Sequence, residues 1–162
     1  MARGTSKLAW EQERPHVLVV ACSDGRLQEV NDRFLAQELG IRQYDRLYLP
    51  GGGGALAVSG FEYLRAANVR RECAFLTRTH PIERIVLLFH GPAEDGPPTA
   101  MCGDYIRRFP AATIAQLRQR QETDALELVR HRCEWAGPAR IQIFRCEVTA
   151  AGDLQYVELH AD

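Results

Sequence analysis

Apolar residues run almost without interruption through residues 16–22 and 84–90, and each run is short and closed by a turn signal. Runs of this length predict strands covered on both faces. A further strand is predicted over 46–49, where Pro50 and four glycines, Gly51 to Gly54, break it. Between these runs the spacing changes. Leu27, Val30, Phe34, Leu35 and Leu39 recur at helical intervals up to Gly40. Leu56, Phe61, Leu64, Phe75 and Leu76 predict a long helical segment, closed at His80 because the position before Pro81 disfavours helix. Residues 102–105 open a short helix or turn. Ile114, Leu117, Leu126 and Val129 predict a helix from 111 to about 135, ended by Gly137 and Pro138. Residues 140–148 and 154–159, joined by a turn at 150–153, read as the last two strands.

The order is β-α-β-α-β-α-β with a terminal hairpin. Crossover helices between strands imply an α/β fold: a mainly parallel central sheet of about four strands plus a C-terminal antiparallel strand, with helices on both faces. The 162 residues form one domain on this reading (1–162), with residues 1–15 as an N-terminal arm and 91–101, rich in proline and glycine, as a loop. Hydrophobic residues at 46% and charged ones at 25% allow a core without a disulfide scaffold. With 20 basic and 21 acidic side chains, net charge -1, there is no broad positive field for a nucleic-acid backbone. No apolar stretch is long enough to span a membrane, and the N-terminus lacks the apolar centre of a secretion signal. Five cysteines, an odd number, read as reduced thiols in the cytoplasm.

Ligands of open α/β sheets bind beyond the carboxyl ends of the strands. Three chemical features fall there. The first strand ends in Cys22-Ser23-Asp24-Gly25-Arg26, the second in the glycine run, the third in His90. Thiolate and imidazole are preferred zinc ligands, and Cys102 is the nearest thiol in sequence to His90. Three protein ligands leave a fourth position for water, whose pKa zinc lowers to about 7. Asp24 can ligate the metal, take a proton from its water or orient that water, and Arg26 can hold the carboxylate bidentately. Asp24 also stands where it can cap a helix starting near Leu27.

Cys22-Ser23-Asp24-Gly25-Arg26 resembles the Cys-x-Asp-x-Arg motif of the β-class carbonic anhydrases, and a strand ending in histidine followed by Cys102-Gly103 resembles that family's second motif. The resemblance covers roughly residues 17–105. It implies zinc as cofactor on Cys22, His90 and Cys102, Asp24 and Arg26 as catalytic dyad, and reversible hydration of CO2 to bicarbonate. It also implies a homodimer or larger homo-oligomer. The family spaces its histidine and cysteine as His-x-x-Cys, whereas eleven residues separate His90 from Cys102 here. Residues 91–101 are therefore expected to contain an insertion that bulges out and returns Cys102 to the site, with Glu94 or Asp95 as substitute ligands otherwise. The family's arginine-asparagine-alanine-glycine segment is replaced by residues 49–53, and the long helical arm is missing.

Gly51, Gly52 and Gly53 are expected to let the backbone approach a small substrate or anion beside the metal. Residues 52–57 also fit the dinucleotide pattern G-x-G-x-x-A, although after the second strand rather than the first. Cys22 and Arg26 stand too close together for a phosphate loop of the cysteine-phosphatase kind. Zinc-dependent hydrolysis of another small electrophile, and a metal- or anion-binding module without turnover, are the alternative functions. Cys73, Cys133 and Cys146 read as packing residues, His131 as solvated, and Trp10 and Trp135 as packing or subunit-contact residues.

Overall fold

The computed structural model describes residue 10, residues 12–60 and residues 63–162. The expected arm over 1–15 therefore lies largely outside the described residues, as does Phe61. Five strands make one sheet: β1 (Val17–Ala21), β2 (Asp45–Tyr48), β3 (Arg84–Pro92), β4 (Arg140–Val148) and β5 (Leu154–Ala161), in the spatial order β2-β1-β3-β4-β5. All neighbours are parallel except β4 and β5, which form the terminal antiparallel hairpin. The expected α/β architecture is the observed one.

Two cores form because the central strands are apolar on both faces. On one face Val19, Ala21, Val86 and Leu88 pack with Leu35 of α1 (Gln28–Gln37). On the other, Leu18, Val20, Ile85 and Leu87 pack with α2 (Tyr63–Thr79), α3 (Gly103–Arg108) and α4 (Ile114–Arg130) through Cys73, Tyr105 and Leu128, among others. A capping box starts α4: the Thr113 hydroxyl accepts from the Gln116 amide while the Gln116 side chain accepts from the Thr113 amide. No helix among the described residues is long and apolar enough to cross a membrane.

Two helical expectations change. The predicted segment beginning at Leu56 is two pieces: a buried 3-10 turn, Gly52–Leu56, and then α2. Leu64 and Phe75 are exposed, because α2 lays the smaller Ala66, Val69 and Cys73 on the sheet. The helix expected to reach about residue 135 stops at Arg130, and a 3-10 turn, Arg132–Glu134, swings Trp135 into the core at 1% exposure. Cys133 is exposed rather than packed, since that turn faces outward.

Chain order runs outward from β1 in both directions, to β2 on one side and to β3 on the other. That switch is where a crevice opens at the carboxyl edge of such a sheet. The tips of β1 and β3 lie side by side there, with Val20 in register with Leu87.

Candidate metal centre

Cys22 directly follows β1, and its backbone is held from below. Ser23 N donates to the Leu49 carbonyl at 3.2 Å, and Leu49 N donates to the Ala21 carbonyl at 3.1 Å. Gly52, at φ +53°, lies so close beneath that a Cβ there would stand 2.7 Å from Cys22 N. His90 lies on β3, two residues before its end, and is 5% exposed. Its Nδ1 is 3.3 Å from the Ala100 carbonyl, which can only accept, so Nδ1 carries the proton. Nε2 is then a lone pair, buried and without a hydrogen-bond partner. The His90 carbonyl accepts from Gln121 Nε2 of α4 at 3.0 Å, which fixes the strand end.

Cys102 is the N-cap residue of α3 and is 1% exposed. The chain reaches it by leaving the sheet after Pro92: Gly91 and Pro92 still pair with Glu147 and Val148, so the excursion begins at Ala93. Ala93 N donates to the Val148 carbonyl at 2.8 Å, and a 3-10 turn, Pro98–Ala100, carries the chain back. The sulfurs of Cys22 and Cys102 and a ring nitrogen of His90 all lie within 4.8 Å of one another. Glu94 and Asp95 are exposed, and Glu94 faces a groove along α4 with Ile114 and Arg118; neither joins the cluster.

The two thiols are pushed in opposite directions. Cys22 ionises well below the ordinary thiol range, chiefly because the Cys102 thiol donates to it, against the opposing effect of burial. Cys102 is pushed the other way, first by that hydrogen bond to Cys22 and then by burial. Two sulfurs and an imidazole form the borderline-soft donor set that zinc takes, at bonds of about 2.0–2.3 Å. A buried Nε2 whose tautomer is fixed by a backbone carbonyl is the form of histidine that ligates a metal. The residues present therefore fit a zinc ion.

Asp24 does two jobs at once. Its Oδ1 accepts from Arg26 N at 3.1 Å, which caps the 3-10 turn Gly25–Leu27. The Arg26 guanidinium also clasps both oxygens, with Nε 3.0 Å from Oδ1 and a terminal nitrogen 2.6 Å from Oδ2. That clasp holds the Asp24 carboxyl down at about 2. Asp24 lines a cavity of about 430 Å³ together with Cys22, His90, Cys102, Gly51 and Arg107.

Of the three glycines expected at the substrate, only Gly51 lines this cavity. Gly52 packs under Cys22, and a Cβ on Gly53 would stand 2.9 Å from Leu87 and Phe89. Close packing explains the run, and the buried five-residue turn leaves it no open face for a dinucleotide. Asp104 is the buried charge not anticipated. It takes Arg65 at 2.7 Å, Arg107 at 3.2 Å and Arg108 at 3.0 Å, and the Asp104, Arg107 and Arg108 spacing on one helical face is a readable signal for it.

No family model and no curated protein matches the chain. Several solved structures are similar to it. The apo form of a carbon disulfide hydrolase is 12% identical, over 88% of this chain and 78% of that one, with a TM-score of 0.47. The β-carbonic anhydrase CafA of the fungal pathogen Aspergillus fumigatus is 13% identical, over 93% and 78%, with a TM-score of 0.45. A tetrameric β-carbonic anhydrase of the ascomycete Sordaria macrospora is 15% identical, over 90% and 81%, with a TM-score of 0.46. At such identities, likeness concerns the path of the chain and not its chemistry.

Proposed function

We propose that this protein is a zinc enzyme that reversibly hydrates CO2 to bicarbonate, with Cys22, His90 and Cys102 as metal ligands and Asp24 with Arg26 as the dyad that handles the water. The observation that carries the reading is the convergence of three donors within 4.8 Å around an unpartnered, buried His90 Nε2, beside a carboxylate held ionised.

Zinc, when bound, supplies Lewis acidity that makes hydroxide available near neutral pH. The chain's own residues supply the rest. The Ala100 carbonyl keeps His90 Nε2 free of a proton, and the paired thiols would release theirs to solvent as a cation binds. Asp24 stays ionised throughout the neutral range, so it can accept a hydrogen bond from a water in the shared cavity and fix its direction. Arg26 keeps that carboxylate oriented by two parallel hydrogen bonds. Gly51 forms cavity wall without a side chain that would narrow it.

Metal analysis and stopped-flow CO2 hydration test the proposal together. The purified protein should hold about one zinc per chain, and Cys102→Ala should lose it, with affinity reduced more than about a hundredfold. Full zinc occupancy with no hydration above buffer would reject the reaction. A homo-oligomer belongs to the same proposal: Tyr63, Leu64 and Phe75 leave apolar surface on α2 exposed, which fits a subunit contact.

A further inference from the structure

Asp24 and His90 line a second cavity, on the side away from the glycine run. The first cavity has Ser23, Asp104 and Arg107 in its wall beside Pro50 and the two thiols. The second, of about 250 Å³, is walled by Leu27, Pro97, Ala100, Val148 and Leu154, with Thr99 the one uncharged side-chain hydroxyl and Arg26 at its edge.

This second chamber is built by two segments that are fixed to each other. The chain between β3 and α3 supplies Pro97, Thr99 and Ala100, and the β4–β5 hairpin supplies Val148, Gly152 and Leu154. Ala93 N bonds the Val148 carbonyl, Gly96 N bonds the Ala93 carbonyl at 3.1 Å, and a Cβ on Gly96 would stand 2.8 Å from Ala93 N. Pro92, Pro97 and Pro98 restrict the same stretch. The wall is thus set before anything binds, which lowers the cost of binding.

A triatomic molecule needs a volume on the order of one or two waters, at about 30 Å³ each. The chamber is several times larger, yet smaller than the roughly 300–1,000 Å³ of sites for drug-sized ligands. We infer that this chamber is a binding subsite for a short, uncharged aliphatic group, so that the substrate class of the centre includes a small ester or other carbonyl compound carrying such an arm. The inference rests on the proposed metal chemistry for what happens at the reacting carbon; the chamber itself depends only on the protein.

Binding of n-alkanols from ethanol to pentanol, followed by methyl NMR on the purified protein, tests it. The methyls of Leu27, Val148 and Leu154 should shift together, and Kd should fall about fourfold for each added methylene, from about 0.8 kcal/mol per buried CH2. Leu154→Trp, at a half-exposed position that tolerates bulk, should fill the chamber and flatten the series while zinc content stays at the wild-type value. Cys22→Ala should lose zinc and keep the series. Shifts scattered over the surface, no dependence on chain length, or the same slope in Leu154→Trp would overturn the subsite. An intact alkanol series in a protein that takes no zinc would leave the chamber standing and remove the proposed reaction, so the two failures are separable.

Discussion

Two buried polar clusters share helix α3, and they differ in how completely they are satisfied. Around Asp124, which is fully buried, the Ser59 hydroxyl and the Tyr105 hydroxyl each donate at 2.8 Å, and Arg120 Nε donates at 2.8 Å. Arg108 in turn donates to Ser59 Oγ at 2.9 Å. Ser59, Tyr105, Arg120 and Asp124 all have hydrogen-bond partners inside the protein. Around Cys102, at the start of the same helix, His90 Nε2 has none and the two thiols are pushed in opposite directions. A closed network costs little to bury and fixes the scaffold; an open one is retained where something from outside completes it.

Asp124→Ala makes the sharpest contrast. It leaves Arg120, Tyr105 and Ser59 without their acceptor and should cost about 3–5 kcal/mol in urea unfolding. If that variant does not fold, Asp124→Asn should show a smaller loss, with zinc per folded chain unchanged in either case. A metal content that fell with stability would break the distinction between scaffold and site.

Thiol alkylation comes next in size. In metal-free protein at pH 6, Cys22 should react on the order of a hundredfold faster than Cys73, whose thiol burial pushes up to about 12, and than Cys146, pushed up by burial to about 11. Peptide mapping by mass spectrometry reads this directly. Equal rates would mean that the Cys22–Cys102 hydrogen bond is absent in solution.

The smallest effect concerns Asp24. Its folded pKa lies below the ordinary carboxyl value of about 3.9, so its pairing with Arg26 stabilises the fold above that value and is lost as pH falls toward about 2. The Arg26 side chain is 68% exposed, so solvent screens the pair and the stability change is slight. Activity should therefore show no inflection from Asp24 above pH 5, and Arg26→Gln should move its carboxyl upward by about one unit in a carboxylate NMR titration.

Much of this was legible in the sequence, and the reasons divide by element. β1, β3 and β4 are buried on both faces or nearly so, and their ranges follow from continuous apolar runs and turn residues. Cys22 and His90 stand at the tips of adjacent strands because topology places them there, which is why distant residues could be paired. The glycine run was harder. A short turn and a short helix share composition at 51–57, and only contact with Leu87, Phe89 and Tyr105 shows why the glycines are needed. The buried stripe of α4 includes Gln121 and Asp124, so a periodicity built from apolar residues alone placed Leu126 inward, where half its surface is in fact exposed. Whether Cys102 came back to His90 depended on hydrogen bonds from Ala93 and a pair of prolines, which spacing does not reveal.

That detour has a consequence for when the proposed ion would arrive. Neighbouring ligands in a short loop can seize a cation while the chain is still extended on the ribosome. Here no two donors are near neighbours in sequence, and they meet only once β1, β3 and α3 have docked. For the zinc site proposed above, loading would then follow folding, so the newly made polypeptide should mature without the ion and accept it afterwards, and a chelator should strip it without melting the sheet.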